Sequence, residues 1–359
     1  MLDPIEAVSS ADPYPYYAAL AGEHALVWQK EMWLAGSPAL VAEVLTHPLC
    51  RVRPAGEPVP AAIAGGSAGE VFGALVRMND GAARHDVPKM VLQRALGVLS
   101  VDEVRAAAAR IARETFGPDA GGDVEELSRW MAEVPVRTVA SLLGFADQRL
   151  AQVAAWMGKF VACLSPLSSG EQIASAHGAS LELLAALREL MAAPGGLREG
   201  CLMQSVWREA ADAGWREERA ILANVVGLMS QTYEATAGLI GNTLVALQCG
   251  APWPSDAAAA LKLVREVVVT DPPVQNTRRF VAEDAHIGGV DVKQGQVILV
   301  VLAAAGKGFG HGLHACPGQA MAETIAAAAI ANLPEAPGPM RWRYRPSVNA
   351  RIPEFVEAL

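Results

Sequence analysis

The chain has 359 residues, 52% of them hydrophobic and 6% aromatic, with 29 Lys and Arg against 38 Asp and Glu and a formal net charge of -9. That composition excludes a disordered chain, a collagen and a small disulfide scaffold. The acidic balance leaves no basic excess to meet a phosphate backbone, so no nucleic-acid partner is expected.

The opening Met1-Leu-Asp-Pro-Ile-Glu has neither the basic start nor the apolar stretch of a secretory signal, which points to the cytoplasm and to reduced thiols. No repeat, low-complexity linker or long charge run divides the chain, so one domain over residues 1–359 is expected. Leu26 to Leu34 reads as a short hairpin. Ser37-Pro38 then supplies an N-cap and a proline at the first helical position, with a helix through Leu45. Gly56 to Asn79 is rich in Pro, Gly and Ala and reads as a loop with short helical pieces, of the kind that lines pockets.

From His85 onward the spacing of apolar residues predicts helices, as over Val101 to Phe116, Val124 to Phe145 and Ala174 to Met191. Glu217 to Gln248 contains no proline and reads as a single helix of roughly 45–50 Å at 1.5 Å per residue. Its centre, Ser230-Gln-Thr-Tyr-Glu-Ala-Thr236, is polar where a buried helix should be driest. On the residues alone, that cluster also fits a solvated or kinked stretch.

Beyond Pro272 the pattern turns to strands. Ala285 to Val292 contains a Gly-Gly hairpin turn, Val297 to Leu302 is a buried strand-like run, and the proline-rich tail from Leu333 ends in a short extended pair. The longest apolar run, Val297 to Gly306, is far short of the ~20 residues of a membrane-spanning helix, so no membrane association is expected.

The five cysteines are scattered, odd in number and without a CxxC pair, against both a disulfide framework and a zinc site. Four read as inert fillers. Cys316 differs: Phe309-Gly-His-Gly-Leu-His-Ala-Cys316-Pro-Gly318 is a glycine-rich loop that presents one thiol just before a strong helix former. Backbone N–H groups and the helix dipole there favour a thiolate, the state that binds metal.

Phe309, Gly310, Gly312, His314, Cys316 and Gly318 match the haem-binding signature of the cytochrome P450 family in register, and the chain resembles that family. The resemblance implies a mainly α fold with small β-sheets and a long central I helix over a haem b cofactor, with Cys316 as the axial thiolate ligand. It further implies that His85, Lys89 and Arg279 hold haem propionates. Glu217 to Gln248 matches the I helix, and Glu234 matches the acid of the family's acid and threonine pair, which relays protons during oxygen activation. Ala235 stands where the threonine is expected. Thr236, one residue later, points about 100° away and is an uncertain substitute.

A second departure lies near Glu266, where the family's arginine three residues on is Val269. A connection is also missing, because only Ala304 to Gly308 separate the run ending at Ala303 from Phe309. A deletion with compensating change is expected, since an arginine left buried without its partner costs several kcal/mol and valine removes that cost.

The resemblance implies a monooxygenase that acts on a small, largely apolar molecule with electrons from a ferredoxin-type partner, to whose docking Lys307 could contribute charge. Ala235 favours an alternative: a peroxide-dependent or non-redox haem-thiolate enzyme. Val269 and the missing connection favour another, a non-catalytic binding or recruitment protein.

Overall fold

The computed structural model describes residues 2–116, 124–333 and 338–357. Two short helices, α1 (Glu6–Ser9) and α2 (Tyr14–Ala21), precede the hairpin of β1 (Val27–Gln29) and β2 (Met32–Ala35), helix α3 (Pro38–Thr46) and strand β3 (Cys50–Arg51). Ser37 does precede α3, but its side chain makes no capping hydrogen bond.

The Pro- and Gly-rich stretch carries helix α4 (Ser67–Ala74), a 3-10 turn over Val76–Met78 and a π turn over Ala82–Asp86 that runs into α5 (Val87–Gly97). Then come α6 (Val101–Thr115), α7 (Val124–Leu143), α8 (Asp147–Val161), α9 (Gly170–Met191) and α10 (Leu202–Asp212). Helix α6 starts with a capping box of Ser100 and Glu103, and α9 with one of Ser169 and Gln172. Each box satisfies N–H groups that a helix start leaves open.

The long proline-free segment is a single helix, α11 (Glu218–Gln248), buried around most of its circumference. Helix α7 lies along it, and α12 (Ala257–Thr270) and α13 (Gln319–Ala331) pack against it from another side. One large apolar core runs through these helices, with Trp130, Phe160, Met229, Ile240 and Ile325 all fully or nearly fully buried.

The remaining strands are β4 (Thr277–Val281), β5 (Ala285–Ile287), β6 (Val290–Val292), β7 (Val297–Val300), β8 (Met340–Tyr344) and β9 (Pro353–Glu357). A five-stranded sheet has the order β1-β2-β7-β4-β3, in which β2 and β7 run parallel and the other neighbours antiparallel. Two hairpins, β5-β6 and β8-β9, stand apart from it. A smaller core of Leu40, Val41, Ile298 and Val300 fixes α3 on the sheet. The expected extended pair at the tail is β8-β9; Pro334 and Pro337 lie outside the described residues.

The C-terminal segment crosses α11 at two glycines. A Cβ on Gly238 would lie 2.8 Å from Pro273, and one on Gly241 would lie 2.7 Å from Pro353. Only glycine admits such an approach, which sets the loop after β8 one to two turns along α11 from Glu234. No described helix is long and apolar enough to cross a membrane.

Candidate functional site

The loop before α13 is folded by its own backbone. Cys316 N–H donates to Phe309 O at 2.9 Å, and Gly310 N–H donates to Lys307 O at 2.7 Å. Gly310 and Gly312 take φ of 75° and 62°, the left-handed region that β-carbons disfavour.

Cys316 is exposed along one side, as no other cysteine is except Cys249; Cys50, Cys163 and Cys201 are buried. Protein atoms still crowd its sulfur, so burial pushes the thiol above its ordinary value, against the pull of the Gly318 N–H and the Lys89 ammonium. The helix start therefore does not by itself deliver the thiolate that the sequence pattern predicts. Desolvation wins until a metal cation is present to hold the anion.

His85 lies in the π turn and Lys89 in α5, so the two are not on one regular helix face. His85 is 3% exposed and stacks on His314 with ring centroids 4.2 Å apart. Lys89 takes another direction. Its Nζ donates to the carbonyls of Leu313 and Ala315, the latter at 2.8 Å, which holds the cysteine loop from beneath. Burial lowers the Lys89 pKa, and the neighbouring Cys316 and Asp86 oppose that shift.

Arg279, on β4, is 4% exposed. One of its nitrogens donates to Arg278 O at 2.9 Å, but its Nε is buried with no partner. Asp80 lies between this arginine and His314, whose Nε2 is 3.4 Å from its carboxylate. Burial pushes Asp80 up, yet the hydrogen bonds from His314 and Val52 N–H outweigh it and leave the carboxyl below its ordinary value. His314 is itself lowered, chiefly by burial.

At the centre of α11, Glu234 is paired with Arg345, at 2.7 Å, on the turn after β8. Ala235 keeps some exposed surface, whereas Thr236 is 1% exposed. A pocket of about 420 Å³ lies between α7, α8 and α9, with Arg129, Glu133, Lys159 and Gln172 on its walls. It reaches α11 only through Tyr233 and includes none of the residues around Cys316.

Glu266 and Val269 lie on an open face of α12. Val269 is 64% exposed, and Glu266 makes only a surface contact with Lys262 at 3.9 Å. The argument that valine avoids an unsatisfied buried arginine fails here, because no described segment covers that face. The buried ion pair of this region lies at the end of α12, where Asp271 accepts from Arg351 Nε at 2.8 Å. Lys307 is half-buried.

No family model matches the chain. It is 26% identical over 261 residues to cytochrome P450 107B1 of Saccharopolyspora erythraea, 62% of each chain. It is likewise 26% identical over 273 residues to the P450 monooxygenase PikC of Streptomyces venezuelae, 64% of this chain and 62% of PikC. It thus spans less than two thirds of the length of these relatives. Against solved structures, CalO2 superposes with a TM-score of 0.79 at 22% identity over 99% of this chain and 97% of CalO2. The chain has the cytochrome P450 fold and is a divergent relative of the bacterial P450s. P450BioI, solved in complex with an acyl carrier protein that carries hexadec-9Z-enoic acid, superposes at 0.77 with 18% identity over 98% of each chain.

The P450 relationship implies a haem cofactor, and the residues present suit one. Cys316 offers a soft donor on an open side, and the orphaned Arg279 Nε, with His85 and His314 beside it, offers positive and hydrogen-bonding partners for carboxylates. Phe309 and Gly310 shape the loop, while the Gly318 N–H points to the Cys316 sulfur. Three further charged residues emerge only from the structure: Arg77, whose Nε is buried without a partner, Asp80 and Arg345. The alternation Arg341, Arg343, Arg345 marks one strand edge as basic, but nothing in it signals a partner 111 positions away.

Proposed function

We propose that this chain is a haem-thiolate oxidoreductase of the P450 monooxygenase type. It would use haem b ligated by Cys316 to oxidise a small organic molecule, with electrons from a ferredoxin-type partner. The observation that supports this most is the open Cys316 thiol in its signature loop, together with the partly unpaired cation Arg279, which acts on His314 of the same loop.

His85, His314 and Arg279 would receive the propionates, while Lys89 braces the loop through its two carbonyls. Bound there, haem supplies redox chemistry at an iron whose thiolate ligand pushes electron density toward O–O cleavage. The Gly318 N–H and the Lys89 charge then favour the sulfur anion over the thiol. On the distal side, Arg345 holds Glu234 as a carboxylate acceptor, and Ala235 supplies no hydroxyl to pass a proton onward.

The test is the absorption spectrum of the reduced protein under carbon monoxide, read with haem stoichiometry. A thiolate-type Soret band at near-full occupancy, lost in Cys316→Ser, is the expected result. A folded, colourless protein that takes up no added haem would overturn the reading. Ala235 and the Glu234–Arg345 pair together favour a second reading, turnover driven by peroxide without a redox partner. Product formation with peroxide alone, matched against a reductase and ferredoxin system, separates the two.

A further inference from the structure

Helix α8 keeps one bare face. Its large apolar side chains, Val153, Met157, Phe160 and Val161, are buried in the core. Ala154, Gly158 and Ala162 recur every fourth position, so they share the face that walls the pocket between α7, α8 and α9. Methyl groups and a glycine leave room that larger side chains would fill, and the result is the cavity of about 420 Å³. That lies within the range of about 300–1,000 Å³ in which small molecules are held.

The floor is Tyr233 of α11. A Cβ on Gly158 would lie 2.9 Å from its Oη, so the phenol reaches α8 because that position has no side chain. Its hydroxyl makes no hydrogen bond among the described residues. Burial pushes the phenol pKa up, Glu234 and Glu133 add to that and Arg345 opposes it, so the hydroxyl stays a donor.

The walls carry a surplus of charge. Glu133 is paired with Arg137, and Arg129 with Glu126 at 3.1 Å. Lys159, beside Gly158 on α8, is exposed and forms no ion pair among the described residues. Arg129, Arg137 and Lys159 thus face Glu126 and Glu133, three cations against two carboxylates, in a chain whose net charge is -9. Donors are in excess as well. They are the Lys159 ammonium, the Tyr233 and Ser175 hydroxyls, and the amide NH₂ of Gln172, whose Oε1 already accepts from Ser169 N–H. An occupant that satisfies these groups brings acceptors and negative charge, and it covers the alanine face with apolar surface.

We propose that this pocket is a second ligand site, which takes a compact organic anion with an apolar body, held by Lys159 and the Tyr233 hydroxyl. None of the residues around Cys316 lines it, so its occupant is not the molecule that the haem reading oxidises. A bare inorganic anion would use the donors and leave the alanine face wet.

The experiment is calorimetric titration of naphthalene-2-carboxylate, against naphthalen-2-ylmethanol, into the full chain with and without haem, with the Soret maximum followed in the loaded form. The acid is expected to bind about fivefold more tightly than the alcohol, with the Soret maximum unmoved and with no displacement by inorganic phosphate. Lys159→Met should remove that preference and Lys159→Arg should keep it; the position is exposed, so the fold tolerates both. Ala155→Trp, at an exposed position of the wall, should abolish binding of acid and alcohol alike by filling the space. Tyr233→Phe should weaken the acid about threefold.

Equal binding of acid and alcohol, binding of neither, displacement by phosphate, or binding of the acid that is indifferent to Lys159→Met and Ala155→Trp overturns the proposal. So does a Soret shift that tracks saturation, which would put the acid over the iron. A protein that takes up no haem, yet keeps the acid preference and its dependence on Lys159, leaves this site standing while the haem reading falls.

Discussion

Two arginines from one C-terminal turn pair with two carboxylates, and they do opposite things. Arg351 is 1% exposed; besides Asp271 it donates to the carbonyls of Val8, Ser10 and Ala11, and its guanidinium stacks over the Tyr344 ring at 3.3 Å. Asp271 in turn accepts from the hydroxyls of Tyr14 and Tyr344. The side chain of Arg345, six positions earlier, pairs with Glu234 alone among the described residues, and both side chains are part-exposed. The first pair is saturated and buried, which suits a structural tie. The second is half-exposed and single, which suits a pair that can exchange partners.

Breaking the saturated pair should have the largest effect. Arg351→Met leaves Asp271 without its cation, held only by two tyrosine hydroxyls, and takes the guanidinium donor from the carbonyls of Val8, Ser10 and Ala11. A loss of about 3–5 kcal/mol is expected by chemical denaturation; a loss below 1 kcal/mol would remove the structural assignment. Gly241→Ala should come next, at about 1–3 kcal/mol, because its new Cβ would press on the rigid ring of Pro353.

Arg345→Gln sharpens the contrast from the other side. It should alter stability by less than about 1 kcal/mol in the same denaturation measurement, as an exposed pair does. Stability loss as large as in Arg351→Met would erase the distinction.

The smallest effect is a pH dependence. The folded-state pKa of Asp80 lies below its unfolded value near 3.8, so its contribution is fully present above that value and fades as pH falls through the lower one. Denaturation midpoints of wild type and Asp80→Asn should therefore converge below about pH 4. Parallel curves down to pH 2 would show that the His314 and Val52 contacts contribute nothing.

Much of the frame was legible before the structure. Helix α11 was readable because a long proline-free run with apolar residues on most sides permits little else, and the β5-β6 hairpin because two adjacent glycines mark its turn. Cys316 was legible as a signature. Less visible were the groups whose partners lie far along the chain: Arg77, Asp80, Arg345 and Arg351 carry no local pattern that says what they touch. The contacts of Lys89 were not legible because a long flexible cation reaches in several directions, and only the packed loop selects the carbonyls of Leu313 and Ala315. The exposure of Val269 was hidden since composition cannot say which helix face a missing connection leaves bare.

The Arg351 tie also bears on how the molecule is made. Its bonds to Val8, Ser10 and Ala11 span 340 to 343 positions, so the first helices cannot be locked until residue 351 has left the ribosome. Contacts of such separation close late, after the loop-closure entropy of everything between them has been met. Until then Asp271 waits without its guanidinium, and the crossing of α11 that sets Arg345 beside Glu234 cannot form. The Glu234–Arg345 pair is thus among the late contacts of the fold, and a chain stopped short of residue 351 would lack the crossing that sets it.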